Sequence, residues 1–403
     1  MAGAVAISML FERLLLPATI LIGILFAIRL LSKAGFHRTP ADWGIAGLIL
    51  MIPVTLWATA IPAITITQVL RLLTGIGLFY AIVNGVRVKT QLRYMLLGTA
   101  LLGSALALVG LVNTTWILDK LPLIPGSIYA RLPTILADTI HPNVLAGYLV
   151  ILSPISLAII LFAWKDISWQ ESLLHLIAAL LMTAIILLTQ SRGAISAYIV
   201  ILGVLIVLRW KYGWIFILAI AVVGFVGMAT LGTGAFFDQA NITGDSAEKL
   251  EGRIEIWSRG IYMLKDFPLT GIGMGLFGDA ADALYPFFIN RSGSVPHAHN
   301  VFLQIGIDLG MPGLISWLSI FMVIGYLGWR SARTSTGEPL ITAVGAGILC
   351  SQIGIAVHGI TDSVIWGMVK LAPIVWGVWG LAVAAWVIHV NRVNFNATHH
   401  RYD

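Results

Sequence analysis

The sequence carries very little charge for its length and almost no cysteine. Only 10% of its 403 residues are Asp, Glu, Lys or Arg, whereas soluble domains average roughly 25%. This shortage of charge excludes an ordinary soluble fold. Cys350 is the single cysteine, so an intramolecular disulfide framework is excluded as well.

Several motifs of soluble enzymes are also missing. The sequence has no P-loop, no GxGxxG between a strand and a helix, no serine-hydrolase elbow and no HExxH. We also find no cleavable signal peptide, because Glu12 and Arg13 precede a long apolar stretch that no small-residue cleavage site follows. Nucleotide-dependent chemistry is therefore not indicated, and the first apolar segment is expected to remain as a membrane span.

Apolar residues dominate what is present. They make up 59% of the chain, and the mean hydropathy is +0.94. A bilayer core needs roughly 20 apolar residues per helical span, and backbone groups in lipid must be satisfied within the protein. We predict an all-α polytopic membrane protein with eleven spans, or twelve if one more lies in the N-terminal third. The predicted spans are 14–32, 44–61, 67–86, 94–113, 143–164, 172–190, 194–209, 213–232, 301–329, 339–360 and 368–390.

Basic residues predict the orientation, because short loops rich in Lys and Arg stay in the cytoplasm. The basic loops and tail contain Arg29, Lys33, Arg38, Arg87, Lys89, Arg93, Arg209, Lys211, Arg330, Arg333, Arg392 and Arg401. Alternation then places 114–142, the Ser191–Arg192 turn and 233–300 on the periplasmic face, with the C-terminus in the cytoplasm. The N-terminus is periplasmic with eleven spans and cytoplasmic with twelve.

We divide the chain into an N-terminal bundle, 1–232, a periplasmic loop, 233–300, and C-terminal helices with a short cytoplasmic tail, 301–403. Within the loop, apolar residues recur at spacings of three and four and predict an amphipathic helix over 245–266 that lies in the membrane interface. The apolar stripe consists of Ile254, Trp257, Ile261 and Leu264. The glycine-rich segment 268–275 that follows predicts a pliant turn.

Arginines at two places in the chain are candidates for function. Arg192 lies between two apolar runs, where a charged side chain is a functional candidate by default, although it could also extend to the headgroups. Arg253, with Arg259 as its competitor, lies on the loop helix. Guanidinium groups bind phosphate oxygens bidentately, but an ordinary solvated helix face would also carry arginines.

Histidines form the next candidate group. His297, His299 and Asn300 immediately precede a span. An imidazole at the membrane edge suits a general base, since its pKa of about 6.5 lies near working pH. A metal-binding pair and a structural helix cap are the alternatives, although neither HExxH nor a cysteine ligand supports a metal.

Two further polar groups lie at helix ends. They are Arg131 with His141–Asn143, and His358 with Asp362. We interpret both as structural packing before function.

Chemistry on the periplasmic side has no nucleotide supply, so activated donors there are carried on lipids. A lipid pyrophosphate is a good leaving group. Arginines would neutralise the departing pyrophosphate, and a histidine would remove a proton from the incoming hydroxyl.

In order and spacing, these motifs resemble the O-antigen ligase and polymerase superfamily of bacterial envelope enzymes. The matching segments are Arg131 with His141–Asn143, Ser191–Ala194, Gly252–Trp257, Pro268–Gly275, His299–Gln304, Gly310–Gly313 and His358–Asp362. The resemblance implies a GT-C-type glycosyltransferase of the bacterial inner membrane with its active site facing the periplasm.

The resemblance also implies substrates and roles. The enzyme would transfer an undecaprenyl-pyrophosphate-linked glycan to a sugar hydroxyl of lipid A-core in lipopolysaccharide biosynthesis, with inversion and without a metal or cofactor. Arg192 and Arg253 would bind the pyrophosphate and His299 would be the base. Further candidates for substrate binding are Arg131, Arg259, His297, Asn300 and His358.

Other functions stay open. A polymerase of the same superfamily would add the glycan to another lipid-linked glycan. Protein-directed members usually have an additional C-terminal region, which a chain ending at Asp403 does not suggest. A lipid-linked glycan transporter or flippase would place its cations in a central cavity between two halves. The gathering of the candidates at one face favours an enzyme, and the overall pattern favours a ligase.

Overall fold

The computed structural model describes most of the chain. The described residues are 12–32, 37–116, 125–129, 131–133, 135, 139–215, 217–219, 221–222, 226, 250–290, 295–334, 337–367 and 369–399. Their helices, in chain order, are α1 Leu15–Leu31, α2 Asp42–Ala58, α3 Pro62–Gly85, α4 Lys89–Asn113, α5 Gly126–Tyr129, α6 Pro142–Ala158, α7 Trp169–Leu188, α8 Arg192–Arg209, α9 Leu250–Asp266, α10 Phe277–Leu284, α11 Val301–Thr334, α12 Pro339–Gly359 and α13 Pro373–His399.

Eight helices are long and apolar enough to cross a membrane. They comprise α3, α4, α6 with its π-helical extension to Ala163, α7, α8, α11, α12 and α13. The two remaining long apolar helices, α1 and α2, have 17 residues each. No strand occurs in the described part of the chain, so the prediction of an all-α polytopic membrane protein is confirmed. The predicted span 213–232 lies mostly outside the described residues.

Small residues bring the central helices close together. Helix α12 packs against α6, α8 and α11, so the helices after the loop pack among those before it. A Cβ on Gly345 of α12 would lie 2.4 Å from the backbone nitrogen of Ala332 in α11. Such close approach of backbones is the usual way in which membrane helices gain van der Waals contact. Helix α12 is thereby held at the centre of the bundle.

Ion pairs gather at one end of the bundle. Glu338, just before α12, accepts hydrogen bonds from Lys89 at 2.9 Å, His389 at 2.7 Å and Arg392 at 2.5 Å. Burial raises the pKa of Glu338, but these three partners outweigh burial and hold it at about 2. We call this end, which also carries Arg209 and the other described basic residues that were used for orientation, the basic end. Of the basic residues used for orientation, Lys33 and Arg401 lie outside the described residues.

The glycine-rich segment after α9 is closely packed. Gly271, Gly273 and Gly275 have φ angles of 66°, 103° and 85°, which side chains rarely adopt. A Cβ on Gly271 would lie 2.5 Å from the carbonyl carbon of Asp308, and one on Gly273 would lie 2.8 Å from Thr59. The predicted break of the helix is confirmed, since α9 ends at Asp266, and glycine is required in this turn for close packing.

A buried carboxylate connects this turn to two other segments. Asp308 is fully buried in α11 and accepts hydrogen bonds from Gln304 Nε2 and Trp366 Nε1, both at 2.9 Å, and from the Gly275 amide at 3.3 Å. Gln304 Oε1 in turn accepts a hydrogen bond from the Ala298 amide at 2.7 Å. The glycine turn, the segment before α11 and the segment after α12 are thus held in one network.

Helix α9 has two apolar faces. Ile254 and Ile261 of the predicted stripe are 55% and 45% exposed, as a helix lying in the membrane interface requires. The opposite face, with Ile256 and Met263, is completely buried. A Cβ on Gly260 would lie 2.9 Å from Leu303 of α11. The sequence pattern did not indicate this second face, and the predicted helical residues 245–249 lie outside the described part.

We expect Asp308→Ala to destabilise the protein strongly. Three buried donors would lose their acceptor, and each unsatisfied buried donor costs about 1–3 kcal/mol, so the free energy of unfolding should fall by about 3 kcal/mol or more. Thermal unfolding of the purified protein in detergent would measure this. Asp279→Ala, which removes an exposed carboxylate from α10, is the control. Equal melting temperatures for the two variants would contradict the role of Asp308.

Candidate functional site

The histidine pair before α11 is fixed by its backbone. His299 has a φ angle of 46°, in the left-handed region. Its amide donates a hydrogen bond to His297 Nδ1 at 3.2 Å, and the intervening Ala298 is completely buried and bonded to Gln304. This turn brings the two imidazole rings to a centroid separation of 4.1 Å. The network centred on Asp308 therefore holds both histidines in place.

A carboxylate from the segment after α12 faces the histidine pair. Asp362 Oδ1 lies 3.9 Å from His297 Nε2 and 3.9 Å from His299 Nδ1. The Asp362 side chain is only 4% exposed, and Oδ1 also accepts a hydrogen bond from the Ser363 amide at 2.8 Å. At 3.9 Å the histidine contacts are electrostatic, since hydrogen bonds end near 3.2 Å.

Electrostatics set the protonation states of the cluster. Burial lowers the pKa of His299 to about 3, with His297 adding to this effect and Asp362 opposing it. Burial raises the pKa of Asp362, but its interactions with His297, His299 and His358 and the hydrogen bond from the Ser363 amide outweigh burial and hold it at about 2. His299 is therefore a neutral imidazole at neutral pH, and Asp362 is ionised.

The tautomers follow from the hydrogen bonds. His297 Nδ1 is an acceptor, so the proton of the neutral ring is on Nε2, which faces Asp362. His299 Nδ1 is buried and has no hydrogen-bond partner among the described residues, but it is the ring atom closest to the ionised carboxylate. A proton on Nδ1 is favoured there, which leaves the Nε2 lone pair free to accept a proton.

Arg253 and the residue that follows Arg192 both contact the turn that carries Asp362. Arg253 in α9 donates a short hydrogen bond from Nη1 to the Thr361 carbonyl. Arg192 is the first residue of α8, and the next residue, Gly193, packs so closely that a Cβ there would lie 2.2 Å from Thr361 Oγ1. The segments that carry the two arginines therefore contact the same turn. We call this end of the bundle, with His141, His297, His299 and His358, the histidine end.

Three further candidates from the sequence, Asn300, His358 and His297, also lie at the histidine end. Asn300 caps α11, accepting from the Leu303 amide at 3.0 Å, and donates to the Ile360 carbonyl at 3.3 Å. His358 is buried at the end of α12, where its ring packs against Gly147 and Gly193. His297 belongs to the pair itself.

Arg131 is exposed in a segment that is anchored beside Arg192. The anchor is Tyr129, whose hydroxyl donates to the Leu188 carbonyl at 2.8 Å and accepts from Gln190 Nε2 at 2.7 Å. Gln190 lies two residues before Arg192, so the segment of Arg131 flanks the start of α8.

Arg259 is placed differently. Its guanidinium stacks over the ring of Phe288 at 5.2 Å, and its Nε is buried without a hydrogen-bond partner in the described structure. It lies six residues from Arg253, which corresponds to a different face of α9. Of these two arginines, only Arg253 contacts the turn at Thr361 in the described contacts.

Sequence reasoning ranked Asp362 too low. It interpreted Asp362 as polar packing at a helix end, yet the carboxylate lies at the centre of the cluster. His141 caps α6, as a structural role at a helix end requires, and it also contributes to the lowered pKa values of His297 and His299. The signal for Asp362 is the spacing from His358, because a turn after the helix brings the carboxylate back to the end of α12.

The cluster also offers atoms that could bind a metal. His297, His299 and Asp362 present ligand atoms within 4.8 Å of one another. Bonds of about 2.1 Å to a tetrahedral ion would hold neighbouring ligands about 3.4 Å apart. The two 3.9 Å separations are wider than this, so Asp362 would have to move toward both rings. The arrangement as it stands is better suited to holding a proton than a metal ion.

Comparison with known proteins identifies the family. Residues 177–318 match the family described as O-antigen ligase, a segment that contains Arg192, Arg253, His297 and His299. No curated protein sequence gives a significant match. Over this segment of the chain, the predicted resemblance to the O-antigen ligase and polymerase superfamily is confirmed.

Proposed function

We propose that this protein is an O-antigen ligase of the bacterial inner membrane. It transfers a glycan from undecaprenyl pyrophosphate to a sugar hydroxyl of lipid A-core at the periplasmic face. The observation that carries the proposal is the meeting of His299, Asp362 and Arg253 with the start of α8 at the histidine end. The match of residues 177–318 to the O-antigen ligase family supports a membrane glycosyltransferase with lipid-linked substrates.

Arg192 and Arg253 bind the pyrophosphate in this scheme. Guanidinium groups stay charged at any working pH and bind phosphate oxygens in pairs. Arg192 is the first residue of α8, and the N–H groups of a helix N-terminus also favour a bound phosphate. As the bond to the sugar breaks, charge accumulates on the pyrophosphate, and the arginines stabilise it where it develops.

His299 acts as the general base. The acceptor hydroxyl oxygen forms a bond with the anomeric carbon while the bond from that carbon to the phosphate oxygen breaks. The electron pair leaves with undecaprenyl pyrophosphate, and His299 Nε2 accepts the proton of the hydroxyl. Asp362 stabilises the imidazolium that forms. A single in-line displacement inverts the anomeric configuration.

The donor itself makes His299 a better base. With its pKa near 3 in the free protein, the imidazole is a weak base, whereas efficient bases have pKa values near the working pH. The negative charges of a bound pyrophosphate raise the pKa of a neighbouring imidazole. Proton removal is thereby coupled to occupation of the donor site.

The test of the function is reconstituted transfer with three acceptors offered in parallel. These are lipid A-core, lipid-linked glycan and a Ser-containing protein, with EDTA present throughout. We expect glycan on lipid A-core only, without nucleotide or divalent ion. Elongated lipid-linked glycan would instead indicate the polymerase. Donor binding without any product would indicate a transporter, and product formed only after a divalent ion replaces EDTA would contradict the metal-free scheme.

His299→Ala should abolish transfer and leave donor binding intact, because the variant loses the base and keeps both arginines. General bases contribute about 10²- to 10⁴-fold to rate, so turnover should fall by at least that factor. Initial rates and binding of the lipid-linked donor would be measured together. His37→Ala, which changes a histidine near the basic end, should behave as wild type. Normal turnover in His299→Ala would exclude the proposed role.

Lysine should replace Arg192 or Arg253 poorly, because it retains the charge and loses the bidentate geometry. The loss of one charge-assisted hydrogen bond should lower the donor affinity of Arg192→Lys and of Arg253→Lys by about tenfold to a hundredfold. Arg259→Lys is the matched control on the same helix as Arg253. A similar loss in all three variants would show that general charge, not a specific site, holds the donor.

The pH dependence should differ between the two kinetic parameters. A base works unprotonated, so rate falls as the pH drops through its pKa. The acid limb of kcat/KM reports the free enzyme and should lie near the His299 pKa of about 3. The acid limb of kcat reports the complex and should lie at a higher pH. If the acid limb of kcat/KM instead lay near pH 6.5 and disappeared in Asp362→Asn, the proposal that the bound donor raises the pKa of the base would be contradicted.

A further inference from the structure

A groove opens at the basic end, away from the histidines. It lies between the ends of α8 and α11 and the start of α12, and its volume is about 320 Å³. Small-molecule sites typically occupy roughly 300–1,000 Å³. Its walls include Phe162, Ala332 and Pro339, which are apolar, and its charged lining residues are Arg209 and Arg333.

Each arginine of the groove is oriented by its own neighbours. Arg209 Nε donates to the Leu161 carbonyl at 2.9 Å, and its guanidinium lies 5.9 Å from the ring centre of Trp210. The guanidinium of Arg333 lies 5.7 Å from the ring centre of Trp329. Both cations therefore stand beside indole rings that present their faces to them.

The nearest carboxylate in the sequence does not neutralise these cations in the described contacts. Glu338 lies between two residues of the groove wall, but its oxygens accept from Lys89, His389 and Arg392. The groove therefore keeps two positive charges of its own.

Aromatic side chains place the groove at the surface of the bilayer. Trp210 and Trp329 are 50% and 44% exposed at the ends of α8 and α11. Trp164, at the end of the neighbouring span, is also exposed, and the ammonium of Lys165 lies 5.8 Å from the centre of its ring. Tryptophan with adjacent cations at span ends marks the level of the lipid headgroups. A ligand in the groove would lie at that level.

We infer that this groove binds the phosphate of an anionic phospholipid, with its acyl chains against the apolar wall. Arg209 and Arg333 are able to bind phosphate oxygens by charge-assisted hydrogen bonds. Basic pockets between membrane helices bind anionic headgroups in this way. A soluble phosphate would use the two arginines but not Phe162. This site is separate from the histidine end and does not depend on the proposed transfer reaction.

Native mass spectrometry of protein released from vesicles of phosphatidylglycerol and phosphatidylcholine would test the site. We expect wild type to retain phosphatidylglycerol selectively. The Arg209→Gln, Arg333→Gln double variant should bind it about thirtyfold more weakly, as the contribution of two basic residues predicts. The Arg209→Lys, Arg333→Lys variant should retain most of the selectivity. If the glutamine double variant does not fold, Arg333→Gln alone should show about a fivefold loss.

A charge-matched control separates a site from a charged surface. Lys165→Gln with Arg330→Gln removes two positive charges from the basic end without changing the groove lining, and it should leave lipid retention as in wild type. An equal loss in this control would overturn the proposal. Inorganic phosphate is the second probe, and stabilisation by phosphate without any selectivity for phosphatidylglycerol would also overturn it.

Discussion

A carboxylate buried at the edge of a membrane must be compensated by nearby charge and hydrogen bonds. Asp362 meets this requirement with the hydrogen bond from the Ser363 amide, the two facing imidazoles and the nearby ring of His358. The same turn receives Arg253 at the Thr361 carbonyl. Compensation of one charge therefore draws together side chains that are far apart in the sequence, and the arrangement of the proposed active site follows from it.

The network around Asp308 supplies the rigidity that this arrangement needs. It ties the histidine turn, the glycine turn and the segment after Asp362 to one buried carboxylate. Groups that act on a substrate must be held to within a fraction of an ångström of their working positions. In this protein the site is built from helix ends and short turns, and the buried network fixes those turns to the helices.

Much of this could be predicted from the sequence, for clear physical reasons. The spans can be predicted because a bilayer sets the length of a membrane helix and does not tolerate backbone N–H and C=O groups without hydrogen-bond partners. The meeting of Arg253 and His299 near the start of α8 was predictable because alternating spans bring every second loop to the same face. The position of Asp362, the close packing of the glycine turn and the buried face of α9 could not be predicted, because each depends on a partner from a distant segment. Thr59 packs closely against Gly273, and Leu303 packs closely against Gly260. No local sequence pattern indicates such pairs.

The account depends on one phosphate-binding site at the histidine end. A structure of the protein with undecaprenyl pyrophosphate bound would test it most directly. We predict phosphate oxygens within hydrogen-bond distance of the guanidinium groups of Arg192 and Arg253, with the terminal phosphate directed toward His299. A pyrophosphate that contacts neither arginine, or that lies at the basic end, would contradict the account.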